Sequence, residues 1–491
     1  MTRLSQASLK DFDSALSVPT YDRSAVTRGI VHFGVGGFHR AHEAMYTDRL
    51  MEAGKGQDWG ICGVGVLPHD RKIVETLNAQ DGLYTLVIKH PDGERESRVI
   101  GSIIEMLFAP DDPAAVLEAM SDPATRIVSL TITEGGYLVN QVTGEFDAKD
   151  ESIQSDLEGG SAPTTAFGFI VEALRMRREA GVDPFTVMSC DNLPGNGDTA
   201  RTMITAFARL KDPDLADWMT EHVPFPNCMV DRITPVTSSE DIEALAESTG
   251  VEDEWPVVCE PFTQWVLEDD FVSERPAWEE VEAQLVDDVV PFELMKLRLL
   301  NASHQALCYL GVLDGYTYAH EVCQDELFVK FLLGYLEHEG SATLPHVPDT
   351  DLEEYRQTLI ERFANPEVRD TLARLCAESS DRIPKWLVPV IQHNLEHDGP
   401  IEHSALIVAS WARYAEGEDE QGNPIKVVDR IKDRVMAAAA KQDEDPIAFL
   451  RDPDLFGNLS ENERFTHAYQ EHLDVLHSGG ARASLERLVR P

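Results

Sequence analysis

The sequence predicts an α/β fold in its first part and a mainly α-helical second part. Two observations carry this, and a third places the boundary. Short apolar runs, at Ile30–Phe33, Trp59–Val66, Ile127–Thr133 and Phe185–Ser189, alternate with helical patterns such as Ala166–Ala180. Strands spaced by helices imply βαβ units and a parallel sheet. From Phe292 onward helical periodicity dominates, over 292–313, 325–337, 350–364, 366–378, 403–415, 426–441 and 461–477. The acidic break VDDVVP at 286–291 separates the two patterns. Domains over 1–288 and 289–491 are expected. Tyr84–Ile88 and Arg98–Ile104 read as further strands, an antiparallel excursion from the main sheet.

Composition narrows the function classes. The 491 residues carry a formal charge of −45, with 42 Lys and Arg against 87 Asp and Glu. Nucleic acid and anionic membranes repel such a surface. Arginine outnumbers lysine, 30 to 12; a salty cytoplasm and a GC-rich genome account for that bias about equally. No apolar run approaches the ~20 residues that span a bilayer, and the N-terminus lacks an apolar signal core. The seven cysteines have neither disulfide-framework nor metal-ligand spacing. A cytoplasmic protein with core thiols is expected.

The segment Ile30–His42, IVHFGVGGFHRAH, runs from a short strand into Gly34-x-Gly36 and then a helix. In a dinucleotide fold the first glycine makes the tight turn, and the second lets the backbone approach the pyrophosphate. The third glycine of the usual pattern is His39 here, so the loop alone also fits a plain strand–turn–helix junction. Its place at the start of a βαβ pattern favours the dinucleotide reading. Asp70, after the second strand, can bind a ribose 2′-hydroxyl and repel a 2′-phosphate, which favours NAD. The adjacent Arg71 and Lys72 leave NADP open.

In open α/β sheets ligands bind beyond the carboxyl ends of the strands. Thr133-Glu134-Gly135-Gly136, Ser189-Cys190-Asp191-Asn192 and Val230-Asp231-Arg232 stand at such ends. Each alone also fits an ordinary turn. The helix 292–313 adds Glu293, Lys296, Asn301 and His304 to an otherwise apolar sequence. At about 100° per residue they fall within an arc of roughly 140°. A buried lysine must be paired or line a cavity, so both a core ion pair Glu293–Lys296 and a proton-transfer site fit the pattern. Hydride chemistry between alcohol and carbonyl needs a base and donors to the developing alkoxide. No zinc set is evident, so the base is expected to be a side chain, with Lys296 suited to it and the amides of Asn192 and Asn301 to the oxygen.

Together these residues resemble the polyol-specific long-chain dehydrogenases/reductases. Lys296-Leu-Arg-Leu-Leu-Asn301-Ala-Ser-His304 is similar to that family's catalytic helix. Val223–Pro235 is similar to its signature F-P-x-x-M-V-D-R-I-x-P. Gly34-x-Gly36-Gly37-Phe38-His39-Arg40-Ala41-His42 is similar to its cofactor loop, replaced third glycine included. Ser189–Asn192 with Asn196-Gly197 fits as well. The resemblance spans about residues 28–480. It implies a Rossmann-type NAD-binding domain, a helical substrate domain and a metal-free site between them. It implies Lys296 as general base, Asn192 and Asn301 on the substrate oxygen, and Glu293 passing the proton to solvent. Asp231, His304, Arg374 and Lys385 would contact the polyol. Gly34, Gly36, Gly37, Phe38, Arg40, Asp70 and Glu134 would hold the cofactor. Within the family, Leu372–Pro389 is most similar to the branch that interconverts D-mannitol and D-fructose. Uronate reduction and arabinitol oxidation stay open, as does non-catalytic NAD binding. A monomer or small homo-oligomer is expected.

Overall fold

The computed structural model describes residues 1–12, 16–139, 144–158, 160 and 162–489. The chain divides into two compact units, Met1–Val289 and Val290–Pro491.

The first unit holds the strands β1 (Thr2–Arg3), β2 (Arg28–Phe33), β3 (Gly60–Gly65), β4 (Tyr84–Lys89), β5 (Arg95–Ile100), β6 (Ile103–Phe108), β7 (Ile127–Leu130) and β8 (Thr186–Ser189). It continues with β9 (Cys228–Asp231), β10 (Val251–Glu252), β11 (Val257–Cys259), β12 (Gln264–Glu268) and β13 (Gln284–Val286). The main sheet is parallel, in the order β6-β3-β2-β7-β8. Both of its faces are covered, as a parallel sheet requires. Val31, Phe33, Val128 and Leu130 pack with Phe169, Ile170, Ile204 and Phe207. Ile30, Ile61 and Ile127, one residue out of step, pack with Met45, Tyr46 and Leu50. Two further sheets, β11-β4-β5 and β13-β12-β9, each contain one antiparallel pair; β1 and β10 form a short parallel pair.

Two strand expectations need correction. Arg98–Ile104 is not one strand. Gly101-Ser102 separates β5 from β6, because the buried Asp48 carboxylate takes the Gly101 amide at 2.9 Å. β5 then pairs antiparallel with β4, while β6 joins the main sheet beside β3. Ile127–Thr133 ends as a strand at Leu130. Thr133–Gly136 is a single helical turn, entered with Thr133 at φ +64°.

In the second unit, helices cover most of the chain. Residues 290–314 form one continuous helix, Val290–Met295 and Ala302–Asp314 joined by the π-helical turn Lys296–Asn301. It packs against Glu402–Tyr414, Glu463–Leu488 and Leu372–Cys376. Burial of Leu299, Ala306, Leu307 and Leu310 holds it there. The helix expected at 366–378 shrinks to Leu372–Cys376, capped by the Thr371 hydroxyl after Arg369 takes φ +50°. That expected at 426–441 shrinks to Lys432–Ala439. Among the described residues no helix is long and apolar enough to cross a membrane.

Candidate active site

In the first unit, β2 leads into the glycine turn. Gly34 has φ +91°, and a Cβ there would lie 2.1 Å from the Thr131 carbonyl oxygen, so only glycine fits. At Gly36 an added Cβ would meet only the Gly34 oxygen, at 3.9 Å. The turn is therefore closed on the protein side at Gly34 and open at Gly36. Helix Gly37–Ala41 starts immediately after it.

His39, at the usual third-glycine position, is fully buried. It fits because its ring stacks on His32 of β2, with centroids 3.5 Å apart and planes 13° apart. Glu43 completes the cluster, with Oε2 3.2 Å from His32 Nδ1 and 3.5 Å from His39 Nε2. Ser129 donates to Glu43 at 2.9 Å and lies 2.8 Å from His32 Nδ1. His32 Nε2 lies 2.9 Å from Thr131 Oγ1, which donates to the Gly34 carbonyl at 2.6 Å. A buried network thus runs from Glu43 to the glycine turn. Burial and the neighbouring His32 hold His39 well below the usual histidine pKa. His32, His39 and Glu43 offer ligand atoms within 4.8 Å of one another, a grouping the sequence spacing did not single out. The parallel rings set their in-plane lone pairs side by side rather than converging, and His32 is already bonded at both nitrogens.

The other expected cofactor residues sit as follows. Arg40 is 2 % exposed and donates to the carbonyls of Gly36 and Trp255, so it braces the turn from within. Phe38 is half-buried against His42, ring centroids 4.7 Å apart. Asp70 accepts the amides of Val66 and Leu67 on Oδ2, at 3.0 and 2.9 Å. Its Oδ1 lies 3.5 Å from His69 Nε2. Glu134 is exposed on the turn Thr133–Gly136.

Asp191 knits the ends of β7 and β8 together. It accepts the amides of Ile132 and Thr133 at 2.9 and 2.8 Å and the Tyr137 hydroxyl at 2.7 Å. This pulls the chain off the β7 ladder and explains why that strand ends early. Burial raises the Asp191 pKa. Asn192 follows it and is exposed. Asn196 ties the same loop to β9, donating to the carbonyls of Asp191 and Cys228 at 3.0 and 2.8 Å. Asp231, the last residue of β9, is 2 % exposed. Its neighbour Arg232 donates to the carbonyls of Ala41 and Glu260, a structural role.

In the second unit Glu293, Lys296, Asn301 and His304 are all buried on the helix 290–314. Lys296 and Asn301 open and close the π turn. In an α-helix, positions five apart lie roughly 140° apart around the axis; the wider turn bonds residue i to i+5 and narrows that angle. The Asn301 Nδ2 is buried without a hydrogen-bond partner among the described residues. An unpartnered buried donor costs about 1–3 kcal/mol, which is reasonable where a ligand oxygen completes it. His304 packs on Phe363, ring centroids 4.6 Å apart, and burial lowers its pKa to about 3. It is a neutral ring, one nitrogen donating and the other accepting. Asp370, Arg374, Arg382 and Arg362 all act on it electrostatically. The expected polyol contact Arg374 is exposed, and Asp370 takes its guanidinium in a two-pronged pair. Lys385 is exposed on helix Ser379–Trp386.

A five-stranded parallel sheet with a glycine turn after β2 and polar residues at its strand ends is the architecture of a Rossmann-type dehydrogenase. Residues 28–280 match the mannitol dehydrogenase Rossmann domain and residues 288–477 the mannitol dehydrogenase C-terminal domain. The chain belongs to the mannitol dehydrogenase family. It is 45% identical over 474 residues to mannitol 2-dehydrogenase of Phaeosphaeria nodorum, covering 96% of this chain and 83% of that one. A solved ternary complex of Pseudomonas fluorescens mannitol 2-dehydrogenase with NAD and D-mannitol matches with 44% identity and a TM-score of 0.89, covering 100% of both chains. A substrate-free D-sorbitol dehydrogenase matches with 37% identity and a TM-score of 0.92, over 98% of this chain and 100% of that one.

Proposed function

We propose that this chain is an NAD-dependent dehydrogenase that interconverts D-mannitol and D-fructose, with Lys296 as general base. The observation that carries the mechanism is the π turn, which opens on a buried lysine and closes on a buried amide donor with no partner among the described residues. Likeness to the NAD and D-mannitol complex supports the cofactor and the substrate.

The first unit suits a dinucleotide. A pyrophosphate needs bare backbone, and Gly36 offers it. A ribose needs an acceptor, and Asp70 Oδ1 makes no backbone bond. Gly34 and Gly37 shape the turn; Arg40 braces it; Phe38 and Glu134 flank the cofactor. NAD, when bound, supplies the hydride acceptor. Lys296 takes the proton of the reacting hydroxyl as its carbon gives up hydride. Asn192 and Asn301 donate to that oxygen and hold it as charge develops. Glu293 accepts the proton from Lys296 and passes it on. Asp231 and the neutral His304 orient the remaining hydroxyls, with Arg374 and Lys385 along the chain of the polyol.

The Arg374–Asp370 pair also bears on the choice of substrate. Asp370 already matches the charge of Arg374, which makes Arg374 itself better suited to hydroxyl groups than to a uronate carboxylate. Likeness to a D-sorbitol dehydrogenase supports D-sorbitol as the second substrate reading. Seven buried, free cysteines fit a reducing cytoplasm. The test is NADH formation from D-mannitol, D-sorbitol and D-arabinitol, with fructose and fructuronate reduction in reverse. D-mannitol is expected to give the highest kcat/KM among the polyols. Fructuronate reduced with a much higher kcat/KM than fructose overturns the substrate.

A further inference from the structure

A π turn in a buried helix has a structural cost that something must offset. Widening the helix takes a carbonyl away from its normal donor. Here the Ala302 amide, which in an α-helix would bond to Arg298, instead reaches the carbonyls of Leu297 and Leu299. Leaving a buried carbonyl without a donor is unfavourable. The Tyr335 hydroxyl supplies the donor, at 2.9 Å from the Arg298 oxygen. Tyr335 is fully buried, and burial pushes its hydroxyl well above the usual tyrosine pKa. It therefore stays a donor at any working pH.

The same partner segment holds the turn a second time. Tyr335 begins another π-helical stretch, Tyr335–Gly340. Its Gly340 packs so closely that an added Cβ would lie 2.8 Å from Leu299 Cδ2 and 3.3 Å from the Arg298 oxygen. Beyond it, the Thr343 carbonyl accepts from Arg298 Nη1 at 2.6 Å. The Arg298 backbone and side chain are thus both tied to residues 335–343, in the middle of the turn that Lys296 and Asn301 delimit.

We propose that Tyr335 is a positioning residue for the reaction: by bonding the Arg298 carbonyl, it holds the π turn that brings Lys296 and Asn301 closer together around the helix. It need not touch substrate or cofactor. Without its hydroxyl the turn can relax towards α-helical bonding, which would swing Asn301 back towards roughly 140° from Lys296. This inference rests on the roles given above to Lys296 and Asn301.

The test is Tyr335→Phe, which removes one oxygen and keeps the ring, measured beside Lys296→Ala. The expected result for Tyr335→Phe is a kcat for D-mannitol oxidation lowered about 10–100-fold, since small misplacements of reacting groups have effects of that size. KM for D-mannitol and the affinity for NAD should stay close to wild type, and the midpoint of the kcat–pH profile should move. A folded Tyr335→Phe enzyme with wild-type kcat and pH profile overturns the inference. If Lys296→Ala is inactive in that same comparison, the base assignment survives. If Lys296→Ala is active, the assignment fails independently. Should Tyr335→Phe not fold, Arg298→Met, which releases the turn from Thr343, carries the same forecast. Loss of fold in both variants overturns the inference in favour of a purely structural role.

Discussion

Lys296 and Asn301 are the first and last residues of one π-helical turn within the helix 290–314. A buried lysine and a buried amide are thereby brought closer around one helix, and the amide nitrogen finds no partner among the described residues. π turns recur at functional sites because they re-aim side chains that α-helical spacing would separate.

Asn301→Ala should therefore affect chemistry more than binding. Loss of one donor to a developing alkoxide typically lowers kcat about 10²–10³-fold. Asn192→Ala should behave alike, through the strand-end loop that Asp191 holds. Steady-state kinetics with D-mannitol check this. A change confined to KM in both variants would mean that they only position the polyol.

The two glycines of the turn make opposite forecasts. Gly34→Ala drives a Cβ to 2.1 Å from the Thr131 oxygen at a positive φ, so its melting temperature should fall markedly. Gly36→Ala meets nothing closer than 3.9 Å and should melt like wild type. Its NAD affinity should nonetheless collapse, because the added methyl occupies the space proposed for pyrophosphate. Calorimetric titration of NAD into folded Gly36→Ala decides this; wild-type affinity would move the cofactor elsewhere.

Asp70 caps the Val66 and Leu67 amides and is proposed to bind the ribose, and two substitutions separate these roles. Asp70→Asn removes the charge and keeps an acceptor for the Val66 and Leu67 amides. It should narrow the preference for NAD over NADP, because the charge that repels a 2′-phosphate is gone; Arg71 stays paired with Asp111. Asp70→Ala also loses the cap and should weaken both dinucleotides. If kcat/KM ratios for NAD and NADP do not move in Asp70→Asn, another residue discriminates.

His304 makes stability depend on pH. Its folded pKa of about 3 lies below the ordinary 6.5. The unfolded chain therefore binds a proton that the folded protein rejects as pH falls below about 6.5. Stability is full above that pH and declines below it, by up to roughly 1.4 kcal/mol per pH unit for one such group. His304→Asn stays neutral and should show a shallower decline between about pH 6.5 and 5. Equal slopes in denaturant unfolding of the two proteins would contradict the buried neutral ring.

Much of this was readable from sequence because it rests on local patterns. The parallel strands announce themselves as apolar runs, and Gly34-x-Gly36 as the turn after the first of them. Glu293, Lys296, Asn301 and His304 stand out as polar residues in an apolar helix. What stayed hidden depends on tertiary contacts. Nothing local marks the π turn, since its register depends on Tyr335 and Gly340, about 40 residues on. The early end of β7 needs the Asp191 carboxylate, and the break between β5 and β6 needs Asp48. His39 looked like a defect in a glycine pattern until His32 and Glu43 supplied its packing partners. The two-pronged pair of Arg374 with Asp370 likewise shows only in the fold.

The most direct test of the account is the rate of NADH formation from D-mannitol by Lys296→Ala relative to wild type, at saturating NAD. Loss of the general base should lower kcat about 10²–10⁴-fold while NAD still binds. A near-normal kcat at neutral pH would show that Lys296 is not the base, and the mechanism proposed here would fail.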